Sequence, residues 1–276
     1  MILFKFDTIE SFLVKNIYSM EPNKDLRIST MTLISQISTN INLMKLYENL
    51  EINDTFKFIQ FGNNPIKGNI VKKVKNPRKK KETKYFYNQL TLHVLNEKII
   101  NVKVFNNGGI QMTGLKREEQ GNNTIQILLQ YFKNLPTNKK EEIFDNINPE
   151  LVHSKIVLIN SDFDIKFKIN RELLHRLIIS LGLYSSYEPT IYPGVNIKYY
   201  FNSNEQNNGV CKCTGKCNGK GINCCKKITI AVFNSGKIII TGGQSYEQLN
   251  TAYDFIQKVI GENRSELIII DENRET

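Results

Sequence analysis

Apolar residues recur along this chain with two periods, and the switches between them mark out two runs of elements in the same order. From Leu26, LRISTMTLISQIS alternates as a strand, and NLMKLYENL behind it sets Leu43, Leu46 and Leu50 at helical spacing. Ile70 to Lys75 alternates enough for a further strand before the basic run KNPRKKKETK. KIINVKVF and IQMTG then read as a hairpin, and the Asn-Gly pair in its turn, Asn106 to Gly109, supplies the positive φ that a tight turn needs. After Gly114 a helix carries Ile125, Leu128, Leu129 and Phe132 on one face and stops at Pro136.

The second half repeats the order. IVLINSDFDIKFKI reads as a strand, and NRELLHRLIISLGL as a helix with Leu174, Leu177, Ile178 and Leu181 on one stripe and Gly182 at its end. VNIKYYF is a strand, and after an insert KKITIAVF and KIIITG form the second hairpin. The last helix places Leu249, Ala252, Ile256 and Val259 together. With so few helices, one sheet face is expected to be covered and the other left open for a ligand.

The two hairpins are also alike residue by residue. VFNNGGIQMTGLKREEQGN, from Val104, recurs as VFNSGKIIITGGQSYEQLN, from Val232, at an ungapped offset of 128 (233 − 105). Two copies at so long a period are too few for a solenoid and imply a pseudo-two-fold fold built from two similar halves. Such a fold offers two equivalent surfaces to a partner that is itself roughly two-fold symmetric, as duplex DNA is.

Charge sharpens that expectation. The chain of 276 residues carries 37 Lys and Arg against 27 Asp and Glu, a net +10, which favours a polyanionic partner; the frequency of Lys, Asn and Ile also fits an AT-rich coding sequence. No apolar stretch approaches a membrane span. MILFKFDTIESFLVKNI has capping-box spacing at Asp7 and Glu10 and reads as a short amphipathic helix in place of a signal peptide. His93, His153 and His175 lie far apart with no catalytic signature beside them, and no phosphate-binding glycine loop is present, which argues against an enzyme.

YEPTIYPGV, Tyr187 to Val195, and ITIAVFNSGKIIITG, Ile228 to Gly242, resemble the second repeat of the TATA-box-binding protein family, and VFNNGGIQMTGLK resembles its first. The resemblance runs from about Leu26 to Ile260, with Lys- and Asn-rich inserts similar to those of large DNA viruses. It implies an α+β fold in which two tandem pseudo-symmetric repeats form a saddle-shaped antiparallel sheet with helices on the convex face. The expected divisions are an N-terminal extension (1–25), a first repeat (26–136), a second repeat (137–264) with a Cys-rich insert at 203–226, and a tail (265–276). The resemblance further implies a transcription-initiation factor that binds and bends AT-rich double-stranded DNA through the minor groove. It would act as a monomer on DNA, in a nucleus or a viral factory or virion, with no required cofactor. Its partners would be RNA polymerase machinery and a general transcription factor of the B type.

The same resemblance assigns site residues. Phe105 and Phe233 match wedging rings, and Tyr192 matches the second wedge of the second repeat, with a phenol where the family has phenyl. The corresponding first-repeat position falls near Lys67, with Phe56, Phe58 or Phe61 as rings if the alignment shifts. Thr113, Thr241 and Ile239 match groove-facing positions. Leu26 and Leu158 stand where the family has central asparagines, and Asn160 lies two residues from Leu158 on the same strand face. Lys73, Lys116, Lys198 and Lys237 match basic positions suited to phosphate, and Glu188 and Ile191 fall at the B-factor docking surface. A strand phenylalanine is otherwise most often core, and a lone lysine a solvated charge. Lys67, Leu26 and Leu158 keep a second reading open, a saddle-fold docking scaffold that has lost DNA bending.

All five cysteines lie in VCKCTGKCNGKGINCCKK, between the Tyr192 and Phe233 strands, where the resemblance places the stirrup used by the B-type factor. Confinement to one segment implies a reducing compartment. Thiolates so closely spaced in a Gly-rich loop suit one structural zinc, with Cys211, Cys213, Cys217 and Cys224 as ligands and Cys225 spare; free thiols and local redox chemistry are the other readings. A larger stirrup implies either an altered partner surface or extra DNA contact through Lys212, Lys216 and Lys220.

Overall fold

A computed structural model describes residues 21–69, 86–203 and 208–270. The expected N-terminal helix, the strand from Ile70 to Lys75 and the basic run Lys72 to Lys84 lie outside them. The described residues form two compact units, one within 30–158 and the other from 21–29 together with those from 159 to 270.

The first run of elements is β1 (Arg27–Ile37), α1 (Leu43–Asn49), β2 (Phe56–Phe61), β3 (Lys67–Gly68), β4 (Gln89–Asn96), β5 (Lys98–Phe105), β6 (Gly109–Leu115), α2 (Glu118–Asn134) and α3 (Thr137–Ile143). The second is β7 (Leu151–Asp164), α4 (Arg171–Ser180), β8 (Tyr184–Glu188), β9 (Tyr192–Phe201), β10 (Lys226–Val232), β11 (Lys237–Gly243), α5 (Tyr246–Glu262) and α6 (Arg264–Leu267). Neighbouring strands pair antiparallel, in the order β3-β2-β4-β5-β6-β1 in the first repeat and β7-β11-β10-β9-β8 in the second. The α+β class and the tandem repeat are as the sequence implies.

The spacing of 128 extends through the local chemistry. Asn42 caps α1 by accepting from the Lys45 N–H, and Asn170, 128 residues on, caps α4 by accepting from the Glu172 and Leu173 N–H groups. The Gln120 side chain accepts from the Lys116 N–H at 2.8 Å ahead of α2, and Gln248 accepts from the Gln244 N–H at 2.8 Å ahead of α5. α2 then buries Ile125, Leu128 and Phe132, and α5 buries Leu249, Ala252, Ile256 and Val259 against their sheets. Leu129 is half-buried, and Leu181, expected on the α4 stripe, is exposed because the helix ends there in a turn closed by Gly182 at φ 80°.

Several elements escape the pattern reading for physical reasons. β2 carries a bulge between Phe56 and Phe58 that breaks its alternation. β8 is a short strand at the end of the order that buries none of its residues, so it has no apolar period. β4 alternates cleanly, but it joins β5 through Glu97 alone, at φ 59°, without a Gly-containing turn signal. Pro136 ends α2 and then stands at the N-cap of α3, which it starts.

The turn glycines decide how closely the chain can pack. Gly108 and Gly236 have φ 78° and 87°, and a Cβ on either would lie 2.2 Å from a carbonyl oxygen, of Thr39 and Phe167 respectively, themselves 128 apart. Gly114, at φ 89°, faces open space. Gly108→Ala is therefore expected to cost about 2–4 kcal/mol and Gly114→Ala only about 1–2 kcal/mol, read from urea midpoints; equal losses would mean the carbonyl approach is not what requires glycine.

Candidate nucleic-acid interface

Among the described residues, helices cover only one face of the strands in each unit. In β5, Ile100, Val102 and Val104 are buried while Ile99, Asn101, Lys103 and Phe105 are not, and β4 and β6 alternate likewise. The register lines up the uncovered residues in rows: Thr91, Lys103, Gln111 and Ile34 in one, His93, Asn101, Thr113 and Thr32 in the next. This helix-free face is mainly polar and uncharged. His93 stacks on Phe58 at 4.6 Å, and burial lowers its pKa.

The second unit presents the equivalent rows. Lys198, Thr229, Thr241 and Asn160 form one, with the Lys198 ammonium donating to Thr229 Oγ1 at 3.0 Å and Thr241 bonded to Asn160. Asn196, Ala231, Ile239 and Asp162 form the next, and Ile239 is exposed. Burial, and then Lys227, lower the pKa of Lys198, which stands on β9 beside the edge strand β8. Lys116 and Lys237 are exposed at the ends of β6 and β11. Lys73 lies outside the described residues.

Exposed aromatic rings stand at one end of each helix-free face. Phe233 and Tyr192 meet edge to face at 5.7 Å, with the Gly194 backbone beneath both rings, where a Cβ would come within 3.2 Å of each. In the first unit Phe105 is half-buried at the end of β5. Its partner emerges from the register. Lys103 and Ala231 keep the spacing of 128, but the residues paired to them, Thr91 and Asn196, stand 105 apart (196 − 91). Counting back 105 from Tyr192 gives Tyr87, 59% exposed and edge-on to Phe61 at 6.3 Å.

Sequence comparison at a single offset missed Tyr87 and pointed to Lys67. The Lys67 ammonium instead donates to the carbonyls of Tyr47 and Leu50, at 2.7 and 2.8 Å, closing the C-terminus of α1. Phe56, Phe58 and Phe61 are buried. The signal that would have found Tyr87 is the match of YFYNQL to TIYPGV, hidden because the halves carry inserts at different places. From β2 to β4 the first half has 23 more residues (128 − 105), and from β9 to β10 the second half regains them.

Two acidic residues also lie on the helix-free face of the second unit. Asp162 accepts from the Arg27 guanidinium at 2.7 and 3.0 Å and from Ser29, and Asp164 lies 3.8 Å from the Lys166 ammonium. The first-unit counterparts, Ile34 and Gln36, are uncharged. Leu26 is buried, leaving no polar group at that position, whereas Asn160 presents an amide through Thr241.

Glu188 and Ile191 occupy the tight turn between β8 and β9, where the Ile191 N–H donates to the Glu188 carbonyl at 3.0 Å and Ile191 is 84% exposed. The Cys insert leaves the other end of β9, which at about 3.3 Å per residue is some 30 Å away. It therefore does not enlarge the loop that carries those two residues, contrary to the expectation from sequence. Within the insert the thiols of Cys211, Cys213, Cys217 and Cys225 lie within 4.8 Å of one another. Cys225 is thus the fourth member in place of Cys224, whose thiol donates to Asn218 Oδ1 at 3.0 Å.

Residues 153–262 match the family model for transcription factor TFIID, or TATA-binding protein. The chain is 33% identical over 253 residues to the TATA-box-binding protein-like protein of Acanthamoeba polyphaga mimivirus, a match covering 86% of this chain and 65% of that one. In sequence and in fold the chain is similar to the TATA-binding protein family. It is also 26% identical over 163 residues to the TATA-box-binding protein of Saccharomyces cerevisiae, covering 58% of this chain and 52% of the yeast protein. The chain thus spans about half to two thirds of these relatives. Methanococcus jannaschii TBP shares the fold, with a TM-score of 0.53 at 19% identity over 86% of this chain and 99% of that one. The TATA-binding protein family consists of transcription factors and not enzymes. No described helix is long and apolar enough to cross a membrane.

Because their rings are partly exposed, the end-of-face aromatics contribute little to the core. Tyr87→Ala, Phe105→Ala, Tyr192→Ala and Phe233→Ala are each expected to cost at most about 1–2 kcal/mol in urea unfolding, against about 3–5 kcal/mol for the fully buried Phe132→Ala. A loss at Phe105 or Phe233 as large as at Phe132 would make them core residues.

Proposed function

We propose that this chain is a transcription-initiation factor that lays its helix-free faces on the minor groove of duplex DNA and bends it. The observation that carries this reading is the edge-to-face pair of Tyr192 with Phe233 at one end of the second face, with Tyr87 and Phe105 at the corresponding positions of the first. Insertion of apolar wedges into base steps is the established behaviour of the family. A flat ring can replace the stacking lost when a step is prised open, a cost of a few kcal/mol that wider contact offsets. Tyrosine keeps the ring and adds a hydroxyl suited to the wet edge of an interface.

Between the wedges, Thr113, Thr241 and Ile239 meet the groove floor. Threonine hydroxyls suit the acceptors that A·T pairs offer there, so AT-rich promoter DNA is the preferred ligand. Lys73, Lys116, Lys198 and Lys237 supply phosphate contacts that hold register without reading sequence. Glu188 and Ile191, exposed in the β8–β9 turn, offer a charged and apolar surface to a general transcription factor of the B type, which links the monomer on DNA to RNA polymerase machinery. The nucleus or a viral factory is the setting this role requires.

A second reading, a docking scaffold without DNA bending, is favoured by Asp162 and Asp164, since carboxylates on a phosphate-facing surface oppose binding. A bending assay on an AT-rich duplex separates the two. Alanine at Phe105 or Phe233, with the fold retained by circular dichroism, is expected to reduce the bend and weaken binding about tenfold or more. Wild-type protein that binds weakly, without bending or preference for base composition, would support the scaffold.

Salt dependence tests the lysines separately. Replacing Lys116, Lys198 or Lys237 by Gln is expected to lower the slope of log K against log salt by about 0.9 each, with little change in sequence preference. An unchanged slope for all three would remove them from the interface.

A further inference from the structure

The insert between β9 and β10 has almost nothing apolar to hold it. Among its described residues only Gly209, Gly219 and Cys225 are buried, and Ile222 is 73% exposed. A segment of this length without a core would not bear the entropy of a single conformation. It nevertheless folds back on its own strands. The Tyr200 N–H donates to the Gly209 carbonyl and the Lys227 N–H to the Gly219 carbonyl, each at 2.9 Å, and Lys220 bridges to Lys226. What converges where those returns meet is sulfur.

We infer that Cys211, Cys213, Cys217 and Cys225 form a structural tetrathiolate site for one zinc ion, which staples the insert onto the β9–β10 hairpin. Four sulfurs at the usual Zn–S distance of about 2.3 Å stand about 3.8 Å apart in a tetrahedron. Here the four thiols lie within 4.8 Å of one another, and Cys213 and Cys225 are 3.6 Å apart, close to that edge. The Cys225 N–H also points at Cys213 Sγ, at 3.4 Å, a backbone donor that would stabilise a metal-bound thiolate and fix its direction. Gly219 and Gly221, at φ 70° and 81°, bend the chain between the third and fourth ligands.

The chemistry of the donor set selects the metal. Four thiolates and no oxygen or imidazole favour zinc over magnesium, calcium or manganese, and a closed set of four leaves no open position for catalysis. A zinc tetrathiolate carries a net charge of −2, and the same segment supplies Lys212, Lys216, Lys220 and Lys226. Binding exchanges four thiol protons for one Zn²⁺ and involves no redox change. Because the units have their own cores, the metal orders the insert and leaves the rest of the fold standing without it. The site does not depend on DNA bending and stands or falls apart from it.

The full chain, produced with zinc and purified without chelator, is expected to hold about one zinc ion per molecule by elemental analysis. Cobalt substitution should give the visible absorption of a tetrahedral tetrathiolate. Iodoacetamide should label Cys224 alone in native protein and all five cysteines after chelation. Cys211→Ser and Cys225→Ser should lose the metal while Cys224→Ser keeps it; Cys211, half-exposed, makes the test independent of any packing loss at buried Cys225. Loss of metal in Cys224→Ser with retention in Cys211→Ser and Cys225→Ser would overturn the ligand assignment. Metal-free protein, whether with five freely labelled thiols or with a mass showing disulfides, would overturn the site itself.

Discussion

Helices α2 and α5 bury every second residue of the strands beneath them, and the two-residue period of a strand then turns the intervening residues to the uncovered side. Phe105 and Phe233 sit at the ends of β5 and β10 in the parity of uncovered residues, so the same packing that builds each core also exposes its ring. A one-residue slip would send Val104 and Val232 outward and bury both rings. The register is held against such a slip by Gly108 and Gly236, which let the Ile37 and Ile165 N–H groups reach their carbonyls at 3.0 Å while the chain passes 2.2 Å from where a Cβ would stand.

The hairpins, the long helices and the repeat were legible in the sequence because each is a local pattern: alternation, a stripe, a turn glycine. The face that carries the candidate site was legible for the same reason, since parity follows from alternation. Pairings across the inserts were not. Tyr87 and Lys67 exchange roles once β4 is matched to β9 by hydrogen-bond register, a long-range relation that a single offset conceals. The fourth ligand-type thiol was also illegible, because Cys224 and Cys225 are neighbours in sequence and differ only in which way the backbone turns them.

The two inserts are equal in length yet differ in place and chemistry. In the first repeat the extra residues lie between β2 and β4, on the side of the strands where Tyr87 emerges; in the second they follow β9, at the end away from Tyr192. The second insert follows the end of β9 opposite Tyr192 and leaves the Glu188–Ile191 turn unchanged. The second repeat thus keeps the family's local sequence around Tyr192 despite carrying the larger chemical novelty. That agrees with the family model matching residues 153–262 and not the first half.

The helix-free faces of the two repeats also differ in charge. At matching positions the first carries Ile34 and Gln36 and the second Asp162 and Asp164, so a uniformly negative ligand meets unequal resistance. Arg27 offsets part of this through its paired hydrogen bonds to Asp162, but the arginine is largely exposed and its attraction to a carboxylate is weak in water. When a ligand excludes that water the balance shifts, because an ion pair already satisfied in the protein costs less to cover than a lone carboxylate. Asp162 is therefore a paired carboxylate, held by Arg27 and Ser29, and not a bare charge on the helix-free face.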